Sequence, residues 1–275
     1  RKNIRYEKLQ QLSARYEAAD IATYTELIIG LPGETYDSFA DGIDALLSAG
    51  QHDGLSVYLC MLLENTEMAT RAYRDAHGIK SAPMRALLYH GTLEPGVPEE
   101  IQETVVGTSA MPELDHDRAV LFAWFVQALH GFGLTQHLAR MLQKHEQLRF
   151  RHFYEALYVC AVAREDLVLG REVARMREVW SAAKRGETWP TIEARFGDVM
   201  WPPEELLFLR IACDSERFYN ELAEIFTDDP IGRVFVEEQR RIFIPPTLGS
   251  EAEYAREAVW YGRKGRGRAL RLRSE

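Results

Sequence analysis

The hydrophobic pattern of this chain changes period twice before residue 60. Ile4, Leu9, Leu12, Tyr16 and Ala19 recur at helical spacing and predict a helix over 4–19. A short apolar run (Leu27, Ile28, Ile29) then opens on the polar Glu26 and closes on Gly30, which predicts a strand over 23–29. Leu31-Pro32-Gly33 reads as a tight turn, because proline presets one turn dihedral and glycine accepts a positive one. Glu34 and Asp37 are expected in the first turn of the next helix, where acidic groups complement the macrodipole. That helix, 35–49, carries Phe39, Ile43, Leu46 and Leu47 on one face, and a second strand is predicted at 54–59. Two strands joined by a helical crossover are expected to be parallel and right-handed. A third strand is suggested by Glu103-Thr104-Val105-Val106. Two or three such strands leave the sheet edge open and cannot close a barrel.

Further along, the pattern becomes helical. A short helix is expected at 66–77, followed by a proline-punctuated connection over 78–112. Asp115 or Asp117 can cap a helix running to about His130, apolar nearly all round through Val120, Leu121, Phe122, Trp124, Phe125, Val126 and Leu129, hence buried on most sides. Gly131-Phe132-Gly133 breaks it. Helices are predicted near 134–146, 149–163, 166–184, 203–212 and 214–227. Alternation of Val234, Val236, Ile242 and Ile244 predicts one or two strands in 231–244, stopped by Pro245-Pro246. The fold class is therefore α/β, with a boundary near residue 112 between an α/β part (1–112) and a mainly helical domain (113–275).

The segment Thr25-Glu-Leu-Ile-Ile-Gly-Leu-Pro-Gly-Glu-Thr-Tyr-Asp-Ser-Phe39 closely resembles the late barrel strand of radical S-adenosylmethionine enzymes, in the branch that carries a cobalamin-binding domain. Arg1 to Leu9 looks like the helix that precedes this strand, Leu55-Ser56-Val57-Tyr58 like the next strand, and Met61 to Met68 like its exit loop. Glu64-Asn65 stands where relatives usually have Pro-Gly or Pro-Asn. The resemblance covers residues 1–70 well and 100–112 weakly. It implies the late strands and helices of a partial (β/α) TIM-like barrel before the helical domain. It also implies a cofactor-binding set of Glu26, Gly30, Pro32, Gly33 and Tyr58: Glu26 for the amino or ribose part of S-adenosylmethionine, the turn glycines for close backbone approach. Tyr58 either points into the cofactor cleft or packs under the following loop. Glu26 as readily pairs with a neighbouring lysine.

The motif that defines the family is not in this sequence. A [4Fe–4S] cluster needs three closely spaced cysteine thiolates, and Cys60, Cys160 and Cys213 are far apart, with no CxxxCxxC. Nor is there an Asp-x-His-x-x-Gly segment for cobalamin. The resemblance therefore implies the C-terminal part of a larger enzyme, with the cluster and cobalamin held by an upstream barrel half and B12 domain, and with a small-molecule substrate. Catalytic residues are not assigned, and this chain alone is expected to be inactive. The competing reading is a complete, degenerate, non-catalytic binding module that acts through its helical domain.

Composition adds bounds. With 46% hydrophobic and 27% charged residues, 275 in all, the chain reads as a soluble globular protein without a transmembrane run. Three cysteines without a disulfide framework point to a reducing, cytoplasmic compartment. The formal charge of −9 disfavours nucleic acid as a partner, although six Arg and Lys residues crowd 263–273 as a basic tail or ribbon. His130, His137, His145 and His152 recur at seven or eight residues, wider than the spacing of paired zinc ligands, so no metal site is assigned. Cys60, just past the second strand, is the one cysteine placed to be functional.

Overall fold

The computed structural model describes residues 6–243 apart from Asp20, Ala22 and Asp53. The basic tail, the Pro245-Pro246 stop and Ile244 lie outside the described residues. Helix α1 (Tyr6–Ala18) leads to strand β1 (Thr25–Ile29), helix α2 (Tyr36–Ser48) and strand β2 (Leu55–Leu59). The strands are parallel neighbours, with Thr25 opposite Leu55 and Ile29 opposite Leu59, as the crossover helix requires. Thr35 starts α2 with a reciprocal cap: its Oγ1 accepts from Ser38 N–H (3.1 Å), and Ser38 Oγ accepts from Thr35 N–H (2.9 Å). Phe39, Ala40, Ile43 and Leu47 of α2 enter the same core as Ile29.

After β2 come helix α3 (Arg71–His77), then strands β3 (Lys80–Arg85) and β4 (Ile101–Gly107). Here the structure differs from expectation. The connection over 78–112 holds an antiparallel ribbon, β3 on β4, with Pro83 opposite Glu103. Proline is tolerated there because, among the described residues, β3 pairs with β4 alone, so Pro83 has no second partner strand that needs its missing N–H. The anticipated third strand is therefore real, but it sits in a second sheet. It touches the first through an antiparallel bridge, Met61 to Thr104, fixed by Val105 N–H to Cys60 O and Leu62 N–H to Glu103 O, both 2.8 Å. Among the described residues there are two two-stranded sheets and no barrel.

Helix α4 (Glu113–Val126) is buried along most of its length and continues into a widened π turn, Gln127–Gly131. Around it lie α5 (Gln136–Glu146), α6 (Phe150–Ala163), α7 (Val168–Lys184), α8 (Pro203–Cys213), α9 (Ser215–Ile225) and α10 (Pro230–Ile242). Helix α10 corrects the strands predicted in 231–244. Asp229 caps it by accepting from Gly232 N–H (2.9 Å), Pro230 occupies a first-turn position, and Gly232, Phe235, Val236 and Gln239 form its buried face. The alternating Val234 lies on the solvent side, 57% exposed. One continuous apolar core runs from Ile29 and α2 through α4 to Phe235 and Val236.

Candidate functional site

The site begins with strand alternation. Glu26 pairs with Ser56 and Ile28 with Tyr58, and side chains in register on parallel strands share a face. The opposite face (Leu27, Ile29, Val57, Leu59) joins the core. The Glu26 face is open: Glu26 is exposed, Ile28 is 45% exposed and Tyr58 40%. Glu26 makes no ion pair among the described residues. Two apolar side chains left in solvent on a parallel strand pair are unusual, because such sheets are normally covered on both faces.

At the C-terminal end of β1, Glu34 N–H closes onto Leu31 O (3.2 Å), with Pro32 and Gly33 as the central residues. Gly33 has φ +88, which fits a type II turn with proline first and glycine second. Gly30 has φ +95, and a Cβ on it would lie 3.1 Å from His116 Nε2 and 3.2 Å from Val105 Cγ1. Gly33 would meet nothing within 4 Å. The structure thus brings Gly30, Pro32 and Gly33 together at the end of the strand that carries Glu26. Tyr58 sits on that face one strand over, 40% exposed.

Two groups beside this turn were not singled out from the sequence. Glu34 stands before the Thr35 cap and not inside the first helical turn, where Asp37 is the acidic residue. Its Oε2 is buried without a hydrogen-bond partner, and desolvation pushes its carboxyl up to about 7. His116, on α4, is fully buried with neither ring nitrogen hydrogen-bonded. It stacks on Trp180 at 6.1 Å between ring centroids. Desolvation dominates and lowers its pKa to about 4, against the raising effect of Asp117, so the imidazole is neutral at pH 7. Only the polar residue inside an apolar helix hinted at His116.

The other candidates resolve structurally. Cys60 is buried, its Sγ lies 3.7 Å from Met68 Sδ, and burial pushes its thiol pKa up, away from a reactive thiolate. Cys160 is half-buried and Cys213 exposed. Both ring nitrogens of His130 are engaged: Nε2 is 3.0 Å from His52 Nδ1 and Nδ1 is 2.8 Å from Tyr154 OH. Among the described residues no group of three or more His, Cys, Asp or Glu side chains could hold a metal ion. A [4Fe–4S] cluster therefore does not fit this donor set.

Beside β2 lies a cavity of about 340 Å³, bounded by Tyr58, Leu59 and Met61, Thr104 of β4, Trp124 of α4, Gln127 of the π turn and Trp180 of α7. Gln127 closes one wall by accepting from Val57 N–H through Oε1 (2.8 Å).

No family model matches the chain. Two curated proteins do. It is 33% identical over 300 aligned residues to the cobalamin-dependent radical SAM methyltransferase TokK of Streptomyces tokunonensis, across 99% of this chain and 44% of that protein. It is also 33% identical over 302 aligned residues, with the same two coverages, to the 2-(S-pantetheinyl)-carbapenam-3-carboxylate methyltransferase of Streptantibioticus cattleyicolor. The chain is homologous to part of the cobalamin-dependent radical SAM methyltransferases. It spans less than half the length of these relatives. The likeness extends across the helical region as well as the Gly-Leu-Pro-Gly segment, so it reaches beyond the residues on which the sequence resemblance rested. Among the described residues no helix is long and apolar enough to cross a membrane.

Proposed function

We propose that this chain supplies the late-strand wall of the S-adenosylmethionine cleft in a cobalamin-dependent radical SAM methyltransferase acting on a small organic molecule. The supporting observation is the open face of the parallel pair: Glu26 and Tyr58 project to one side, next to a turn whose glycines at φ +95 and +88 carry no side chain. These residues fit one part of the cofactor. The Glu26 carboxylate can accept from an ammonium or from ribose hydroxyls, Tyr58 offers a ring to an adenine or ribose face, and Gly30 and Gly33 let the backbone approach. When bound, S-adenosylmethionine would supply the methyl group and the radical chemistry. The role of these residues is to hold and orient it and to keep water away. The iron–sulfur and cobalamin ligands lie outside this donor set under this reading.

Adjacency to the cofactor also gives Glu34 a task. Its buried, unpartnered oxygen and its carboxyl at about 7 leave it protonated for about half the chains near neutral pH, so it can donate to a cofactor or substrate oxygen. The helical region, whose aromatic core is continuous with the sheet, would brace this wall. One relative acts on a pantetheinyl carbapenam carboxylate, and a compact small-molecule methyl acceptor is proposed here too. Hydrogen exchange on the longer protein tests the assignment. Adding S-adenosylmethionine should slow exchange in residues 25–34 and 56–60. Protection confined to other segments would remove this wall from the cleft.

A further inference from the structure

The cavity beside β2 has donors and acceptors in its wall, and several are already committed. Arg85 is engaged through Nε with Gly186 O (3.0 Å) and through Nη1 with Glu99 (2.8 Å). Trp180 Nε1 donates to Asp117 Oδ1 (2.6 Å) and Trp189 Nε1 to Arg85 O (2.8 Å). Gln127 keeps a donor in hand. It is 8% exposed and starts the π turn, a helix irregularity frequent at functional sites. Val57 N–H can only donate, so the amide oxygen of Gln127 must face it (2.8 Å) and the NH2 group is directed elsewhere. Gln127 Nε2 makes no hydrogen bond among the described residues. On β4, Gln102 and Thr104 share one face and both line the cavity. Gln102 spends Nε2 on Glu100 (3.1 Å) and keeps Oε1 as an acceptor. Thr104 gives its hydroxyl proton to Gln102 O (3.4 Å), which leaves its lone pairs to accept. The unpartnered polar atoms sealed from solvent include Trp124 Nε1 but neither Gln127 Nε2 nor Gln102 Oε1, so water reaches both of the latter.

The wall therefore offers one oriented donor and acceptors on β4, set among Leu59, Met61, Met84, Leu87 and Met176. An amide matches both, because its carbonyl accepts, its N–H donates, and either group is costly to bury unpaired. A carboxylate would suit Gln127 but would meet the Glu204 carboxylate in the same wall. An ammonium would suit Gln102 but would leave Gln127 Nε2 without an acceptor. We propose that this cavity binds a neutral ligand with a secondary amide between two short aliphatic arms. Its carbonyl oxygen accepts from Gln127 Nε2 and its N–H donates to Gln102 Oε1. Tyr58 belongs both to the cavity wall and to the Glu26 face, so the ligand lies beside that face.

Four compounds of matched length separate the possibilities on the 275-residue chain: N-propylbutanamide, its ester analogue propyl butanoate, the ammonium form of N-propylbutylamine, and heptanoate. Side-chain NH2 resonances are followed by NMR, the Gln127 pair being assigned through its own backbone. The amide should move the Gln127 pair downfield and bind about threefold to tenfold more tightly than the ester, which lacks the N–H. In Gln102→Met that preference should vanish while the Gln127 shift persists. Gln127→Glu keeps the acceptor for Val57 N–H and removes the donor, so it should weaken amide binding about threefold to tenfold. Should Gln127→Glu not fold, Gln102→Met, at a half-buried strand position, and the resonances of the unmodified chain decide. Equal affinity for amide and ester, tighter binding of the ammonium or of heptanoate, a Gln127 pair that does not move, or binding of none of the four would overturn the proposal. None of these readouts involves S-adenosylmethionine, so a failure here leaves the cofactor-wall reading standing, and the reverse holds.

Discussion

Gly30 and Gly33 look equivalent in the sequence, yet their surroundings differ. Both need a positive φ, which costs a non-glycine residue on the order of 1–2 kcal/mol. Gly30 alone also has His116 Nε2 and Val105 against the position of a Cβ. Gly33→Ala should therefore cost about 1–2 kcal/mol and Gly30→Ala clearly more, about 2–4 kcal/mol once crowding is added. Urea midpoints of the two variants check this, and equal losses would contradict the crowding argument. Glu34 makes a prediction about pH. Its folded pKa is about 7 against 4.5 for the ordinary group, so the folded state holds the proton more tightly. Stability from this residue is intact below about 4.5 and declines as pH climbs through about 7. Glu34→Gln should flatten the fall in unfolding midpoint between pH 5 and pH 8, and an unchanged slope in the variant would remove the buried-carboxyl account. Neither Glu34 nor His116 was legible as special, since desolvation depends on what packs over a residue and not on its neighbours in sequence.

At the scale of elements, the crossover helix α2 is fastened to α6 by charge. Asp44, 7% exposed, accepts from Arg149 Nε (3.1 Å), Arg149 Nη2 (3.0 Å) and Arg151 N–H (3.0 Å). Arg151 also reaches Asp37 and Glu155, and Tyr36 OH donates to Glu155 (2.6 Å). Removing the Asp44 carboxylate strands an amide N–H and a guanidinium edge. Asp44→Ala should cost about 2–3 kcal/mol, below the roughly 3–5 kcal/mol of a fully buried pair because the Arg149 side chain is half open to solvent. Guanidinium-chloride denaturation measures it, and a loss under about 0.5 kcal/mol would show that apolar packing alone seats α2. The apolar pattern made α2, β1, β2 and their parallel order readable, because a local period and a short crossover decide them. It also located α4 and its break. The same pattern failed at 231–244, where alternating valines happened to coincide with a helix whose true signals were the Asp229-Pro230 start and the Gly232, Phe235, Val236, Gln239 stripe. It failed again at 78–112, because β3 is short, holds Pro83, and is stabilised by a partner about twenty residues on.

For the whole molecule, the uneven covering of its first sheet matters most. The core is continuous from the strand pair to α10, yet Ile28 and Tyr58 remain in solvent beside Glu26. The homology spans 44% of the relatives' length, which leaves ample chain in such proteins to face that surface. The resemblance carried by the Gly-Leu-Pro-Gly segment pointed to this face, and the cofactor role proposed for it rests on that resemblance. It could not indicate the cavity beside β2, which is assembled from elements far apart in sequence. The central claim is that Glu26 touches S-adenosylmethionine, and titrating the cofactor into the longer protein with Glu26 or with Glu26→Gln tests it most directly. The substitution keeps size and removes charge, so loss of a charge-assisted contact of roughly 1.5–3 kcal/mol should weaken binding roughly ten- to 150-fold, with iron content unchanged. Equal dissociation constants for the two proteins would contradict the account.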